Sequence, residues 1–87
     1  MSFYTYVLQS LKSGRLYIGQ TDDLERRLND HNSGKTKSTK KKGPWIILYH
    51  VKHESRSEAV RLELQLKKWK NKQRILSWIE REESERP

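Results

Sequence analysis

Apolar and polar positions alternate between two periods along this chain, and the change of period marks its elements. Phe3-Tyr4-Thr5-Tyr6-Val7-Leu8 is rich in β-branched and aromatic residues, Lys12-Ser13-Gly14 offers a turn, and Leu16-Tyr17-Ile18-Gly19 resumes strand composition, which predicts a β-hairpin. Asp22 or Asp23 is placed to cap a helix over about 23–32, in which Leu24, Leu28 and His31 recur at helical spacing before Asn32-Ser33-Gly34 stops it. Trp45-Ile46-Ile47-Leu48-Tyr49-His50-Val51 is a continuous apolar run of central-strand length, expected to be the best-buried strand. Ser55 and Glu58 have capping-box spacing ahead of the stripe Ala59, Leu62, Leu66 and Trp69, so a second helix is expected to run to about Lys70. Asn71 interrupts or caps there, and Ile75, Leu76, Trp78 and Ile79 predict a third helix that frays into a charged tail. The order β-β-α-β-α-α implies a small α/β domain, a three-stranded, largely antiparallel sheet flanked by about three helices. A single domain is expected over 1–80, with 81–87 as tail.

Composition narrows the reading further. The chain has 87 residues, 32% of them hydrophobic, and 19 Lys and Arg against 11 Asp and Glu give a net charge of +8. That length leaves no room for a second core and excludes a large multi-domain catalyst. No apolar run approaches the roughly 18 residues that span a bilayer, and no signal-peptide pattern opens the sequence; a cytoplasmic protein with no membrane association is expected. Absence of cysteine excludes disulfides, thiolate metal sites and a thiol nucleophile. The charge is uneven: residues 1–33 are neutral, 34–53 carry +6, 54–79 carry +4 and 80–87 carry −2. The segment 34–44, with Lys35, Lys37, Lys40, Lys41 and Lys42 and no apolar residue, reads as a mobile loop that adds nothing to a core and faces phosphates or water.

Several polar residues fall where a helix or strand should be apolar. Arg27 lies between Leu24 and Leu28 in angular position, with His31 on the same inward side. An inward arginine must snorkel past the sheet edge, pair with a carboxylate, or line an anion site. Glu63 sits about 60° from the centre of the second helix's stripe and needs a cation: Arg27, a lysine or a divalent metal. Tyr4, Tyr6 and Leu8 share one face of the first strand, and Tyr17 comes from the second strand of the same hairpin. Each taken alone is an ordinary packing residue; their coincidence marks a candidate site.

Through these residues the chain resembles the GIY-YIG nuclease superfamily, and specifically its small stand-alone bacterial members. The likeness covers about residues 3–79. Tyr4-Thr5-Tyr6 stands for the first signature element and Tyr17-Ile18-Gly19 for the second, with Gln20 following, and Arg27, His31 and Glu63 match the family's helix residues. The departures are Tyr4 where the motif has Gly, and Gln20 where several members have Lys. The resemblance implies a metal-dependent phosphodiesterase that cuts nucleic acid by water attack with one Mg2+ or Mn2+ ion. It assigns Tyr17 or Tyr6 to the water, Arg27 to the non-bridging oxygens, Glu63 to the metal and His31 to positioning or relaying a proton, with Gly19 and Gln20 supporting the motif. A single carboxylate supplies few metal ligands, so the ion is expected to bind weakly without substrate. A monomer is expected, acting on DNA rather than RNA, branched or single-stranded. Contacts are expected from Lys35–Lys42, from Lys67, Lys68, Lys70, Lys72 and Arg74, or from a partner protein that supplies specificity.

Two other functions fit the same sequence. One keeps the fold and basic surface as a non-catalytic or weakly active nucleic-acid-binding module. The other is a protein-interaction module that docks through the third helix and acidic tail.

Overall fold

In a computed structural model, described here for residues 2–85, the elements follow the expected order. Strand β1 spans Phe3–Ser10, β2 Leu16–Thr21, α1 Leu24–Asn32, β3 Trp45–His53, α2 Arg56–Trp69 and α3 Lys72–Ser84. Both strand pairings are antiparallel, and the sheet order is β2-β1-β3. The third helix keeps its geometry to Ser84, within the segment expected as tail, while residues 86 and 87 lie outside the described residues. No helix among the described residues is long and apolar enough to cross a membrane.

Local chemistry fixes the element ends. Gly14 takes a φ of +77° in the hairpin turn, a conformation that costs glycine little. Ser10, buried at the end of β1, organises that turn, since its hydroxyl oxygen accepts from the Lys12 and Ser13 amides at 3.1 Å. Asp23, not Asp22, caps α1 by accepting from the Arg26 amide at 3.0 Å. Ser55 caps α2 through the Glu58 amide, and its hydroxyl donates to the Glu58 carboxylate at 3.0 Å. Asn71 both interrupts and caps, accepting from the Arg74 amide at 3.0 Å.

Neighbouring residues of β1 point to opposite sides of the sheet, and each side receives different helices. Val7 packs with Ile18 against Leu66, Ile75 and Ile79 from α2 and α3. Tyr6 and Leu8 pack with Trp45 and, from α1, Leu24 and Leu28. The best-buried strand is therefore β1, which corrects the expectation for the Trp45 run. β3 lies at the sheet edge, and Ile46 is 39% exposed. A bulge explains its continuous hydrophobicity: Tyr49 pairs with Val7 and Ile47 with Leu8, which leaves Leu48 over. Leu48 and Tyr49 then both serve the α2/α3 side while Ile47 serves the α1 side, so adjacent positions are apolar without the strand being enclosed.

Candidate functional site

Tyr6 stands at the centre of a polar chain inside the α1 side of the sheet. β1 places its ring 2% exposed, and α1 brings Arg27 and His31, one helical turn apart, over it. Arg27 Nε donates to the Tyr6 hydroxyl at 3.3 Å, and that hydroxyl lies 2.9 Å from His31 Nε2. On the far side of the imidazole, Nδ1 is 2.8 Å from Thr39 Oγ1, and Thr39 Oγ1 in turn donates to the Thr36 carbonyl at 3.3 Å.

The last bond orients the others. A carbonyl only accepts, so the single Thr39 hydroxyl proton points to Thr36 and Thr39 must accept from His31 Nδ1–H. The neutral imidazole then presents a lone pair at Nε2, which accepts the Tyr6 O–H, and the Tyr6 oxygen accepts from Arg27. Burial, reinforced by the Arg27 charge, lowers the His31 pKa to about 4, so the ring is neutral at neutral pH. Burial also raises the Tyr6 pKa, against the lowering influence of its hydrogen bond and charge interaction with Arg27, which leaves a neutral phenol.

Tyr17 converges on the same place. Its ring lies 6.5 Å from that of Tyr6 at an interplanar angle of 27°, and 4.7 Å from His31. Unlike Tyr6, it is half-buried. Arg27 is partly exposed; Nη1 stands 3.9 Å from Asp30, on the same helix. Of the three arrangements open to an inward arginine, it adopts a mixture, with its Nε inside on Tyr6 and Nη1 within ion-pair distance of a carboxylate.

Glu63 approaches from the α2 side. It is close enough to Tyr6 for its charge to help raise the phenol's pKa, but its bond is with Lys67 Nζ at 2.6 Å. The carboxylate is half-buried and has a lysine for its cation, with Arg27 bound elsewhere. No group of three or more His, Cys, Asp or Glu among the described residues is arranged to hold a metal ion. A lone carboxylate with hard oxygen donors suits an ion such as Mg2+ that keeps most of its water and takes phosphate oxygens as further ligands. The donor set therefore fits a substrate-assisted site and does not form a protein cage.

Gly19 pairs with Tyr6 across the hairpin, and a Cβ built on it would stand 2.6 Å from Tyr6 Cζ. The absence of a side chain there lets the tyrosine ring lie over the strand. Gln20 accepts from Arg56 at 2.9 Å and so joins β2 to the start of α2, away from the Tyr6 chain. Lys35, Lys37, Lys40, Lys41 and Lys42 are exposed, as are Lys67 and Lys68.

Residues 34–44 do more than the sequence suggests. Thr39, in a short 3-10 turn, is 1% exposed. Besides its bond to His31, it gives its carbonyl to the Trp45 indole N–H at 3.2 Å. The Lys42 carbonyl accepts from Ser10 at 2.7 Å, and Asn32 brackets the Trp45 backbone with bonds of 2.7 and 3.1 Å. The basic segment is thus fastened to the core, contrary to the expectation that it adds nothing there. Composition misled because a buried threonine that satisfies a histidine has no apolar signature. Thr39 and Asn32 are the site-building residues that periodicity missed.

Comparison with known proteins gives concordant matches. A family model described as the GIY-YIG catalytic domain matches residues 2–75. A UPF0213 protein of Streptococcus agalactiae serotype V is 42% identical over 83 residues, covering 94% of this chain and 92% of its own. A UPF0213 protein of Bacillus pumilus is 40% identical, over 84% of this chain and 74% of its own. The solution NMR structure of a UPF0213 protein from Bacillus halodurans aligns with a TM-score of 0.55 and 33% identity, over 90% of this chain and 85% of that one.

Proposed function

This chain belongs to the GIY-YIG family, and on that premise we propose that it is a divalent-metal-dependent nuclease acting on DNA. The observation that carries the reading is the directed chain from Arg27 through Tyr6 and His31 to Thr39, with Tyr17 stacked beside it. An ordinary core does not need a guanidinium, two phenols and a neutral imidazole side by side.

In this reading the partly exposed phenol, Tyr17, faces the attacking water. It orients the water and takes its proton. Tyr6 is fully engaged and holds Arg27 and His31 in place. The terminal nitrogens of Arg27 receive the non-bridging phosphate oxygens and the negative charge that grows there as the water oxygen bonds to phosphorus and the P–O3′ bond breaks. Glu63 holds the Mg2+ or Mn2+ ion, which when bound supplies Lewis-acid stabilisation of the departing 3′-oxygen. The exposed lysines of residues 35–42 neutralise backbone phosphates.

The Lys67–Glu63 pair favours a second reading, a nucleic-acid-binding module with weak or lost cleavage, because the ammonium occupies the carboxylate a metal needs. Purified protein incubated with labelled single-stranded, duplex and branched DNA and RNA separates the two. Cutting that requires Mg2+ or Mn2+ and stops with EDTA supports the nuclease. Salt-sensitive binding without cutting supports the module.

A further inference from the structure

A surface cleft of about 420 Å³ lies outside the Tyr6 cluster, where the end of α2 and the start of α3 meet β2. Its walls carry Arg15, Lys67, Lys70 and Lys72, and its floor is apolar, with Leu16 and Ile75. Lys67 is paired with Glu63, whereas Arg15, Lys70 and Lys72 have no carboxylate within ion-pair distance among the described residues. The first turn of α3 contains no acidic residue. Lys72 Nζ rests beside Gly14 of the hairpin turn, 3.2 Å from where a Cβ on that glycine would be, and so stands at the rim. Lys70 occupies the left-handed backbone region at φ 49°, a conformation that costs a non-glycine residue.

Arg15 also lines a second cleft, shared with Lys12, Lys41 and Lys42, that joins the hairpin turn to the basic segment. The cations therefore run without a break from residues 41–42, over the hairpin turn, to the α2–α3 junction. Tyr17 follows two residues after Arg15, and Lys67 holds Glu63, so this band flanks the proposed reaction centre.

Cations alone suit any polyanion, but an apolar floor beneath them suits an anion that carries a flat, weakly polar ring system. We propose that the α2–α3 cleft binds one unpaired nucleotide of the nucleic-acid strand, its phosphate held by Lys70, Lys72 and Arg15 and its base laid over Leu16 and Ile75. The proposal rests on the nuclease or nucleic-acid-binding reading above and refines its substrate: a strand with at least one unstacked base next to the cutting point. A base inside a continuous duplex cannot reach the floor, so branched or single-stranded substrates are preferred.

The test uses the full chain in EDTA, so that no strand is cut, with a single-stranded DNA oligonucleotide and an abasic strand of equal length. Wild type is expected to favour the base-bearing strand. The Lys70→Ala/Lys72→Ala variant is expected to bind it on the order of tenfold more weakly, with a salt slope about one unit shallower, and to lose the preference over the abasic strand. Lys41→Ala/Lys42→Ala is expected to weaken both strands alike. A deoxynucleoside monophosphate titrated into wild type should shift the NMR signals of the Leu16 and Ile75 methyl groups. A cleft variant that keeps wild-type affinity and preference, or methyl signals that do not move, overturns the proposal. Metal-dependent cutting with unmoved methyl signals would reject the cleft and leave the nuclease standing; shifted methyl signals without cutting would do the reverse.

Discussion

The Thr39 hydroxyl lies 2.8 Å from His31 Nδ1, so a residue of the basic segment decides which imidazole nitrogen carries the proton. His31 can accept from Tyr6 because Thr39 occupies its other nitrogen. Replacing Thr39 with Val keeps the volume and removes the acceptor, leaving a buried N–H without a partner, at a cost of about 1–3 kcal/mol. Chemical denaturation should show that loss and 15N NMR a mixed His31 tautomer, while Thr39→Ser should retain the wild-type tautomer.

The depressed His31 pKa has a definite sign for stability. Folded His31 titrates at about 4, against an ordinary 6.5, so between those values the unfolded chain binds a proton that the folded one does not. The contribution is full above about pH 6.5, declines as the pH falls towards 4, and changes no further below that. An NMR titration of the imidazole should give a midpoint near 4. His31→Gln should lose stability less steeply than wild type across the same window.

Gly19 is a steric requirement of Tyr6. Gly19→Ala forces the tyrosine ring off the strand, since the new Cβ would stand 2.6 Å from Cζ. Overpacking of this kind costs about 1–3 kcal/mol. The variant should unfold at lower denaturant concentration, and the ring shifts of Tyr17 and His31 should change with it.

Lys67 competes with any cation for Glu63. Lys67→Met should bind Mn2+ more tightly than wild type in the absence of nucleic acid, read by paramagnetic broadening at Glu63 and its neighbours. Equal affinity would mean that the 2.6 Å pair does not guard the carboxylate.

Much of this was legible in the chain because each signal was local. Asp23, Ser55 and Asn71 cap the helices at positions their side chains announce, and Arg27, His31 and Glu63 stood out against the apolar periodicity of their own helices. Relations between elements were not legible. The run at Trp45 resembled a central strand because a bulge around Leu48 lets consecutive residues face the same side. Nothing in a lysine-rich stretch indicated that Thr39 would be buried against His31, since the pairing depends on residues 34–44 folding back over α1. Glu63 was recognisable as misplaced, and its partner Lys67 is an i,i+4 neighbour on the same helix, a local relation already contained in the spacing.

The central claim is that Arg27 and Glu63 perform phosphodiester chemistry beyond binding charge. Cleavage and binding should be measured in parallel on a branched DNA, with Mg2+ or Mn2+, for wild type, Arg27→Ala and Glu63→Gln. The expected result is metal-dependent cutting by wild type that falls at least about a hundredfold in both variants, with salt-sensitive binding by Glu63→Gln nearly unchanged. Cutting that persists in both variants, or a wild type that binds but does not cut under any metal, would contradict it.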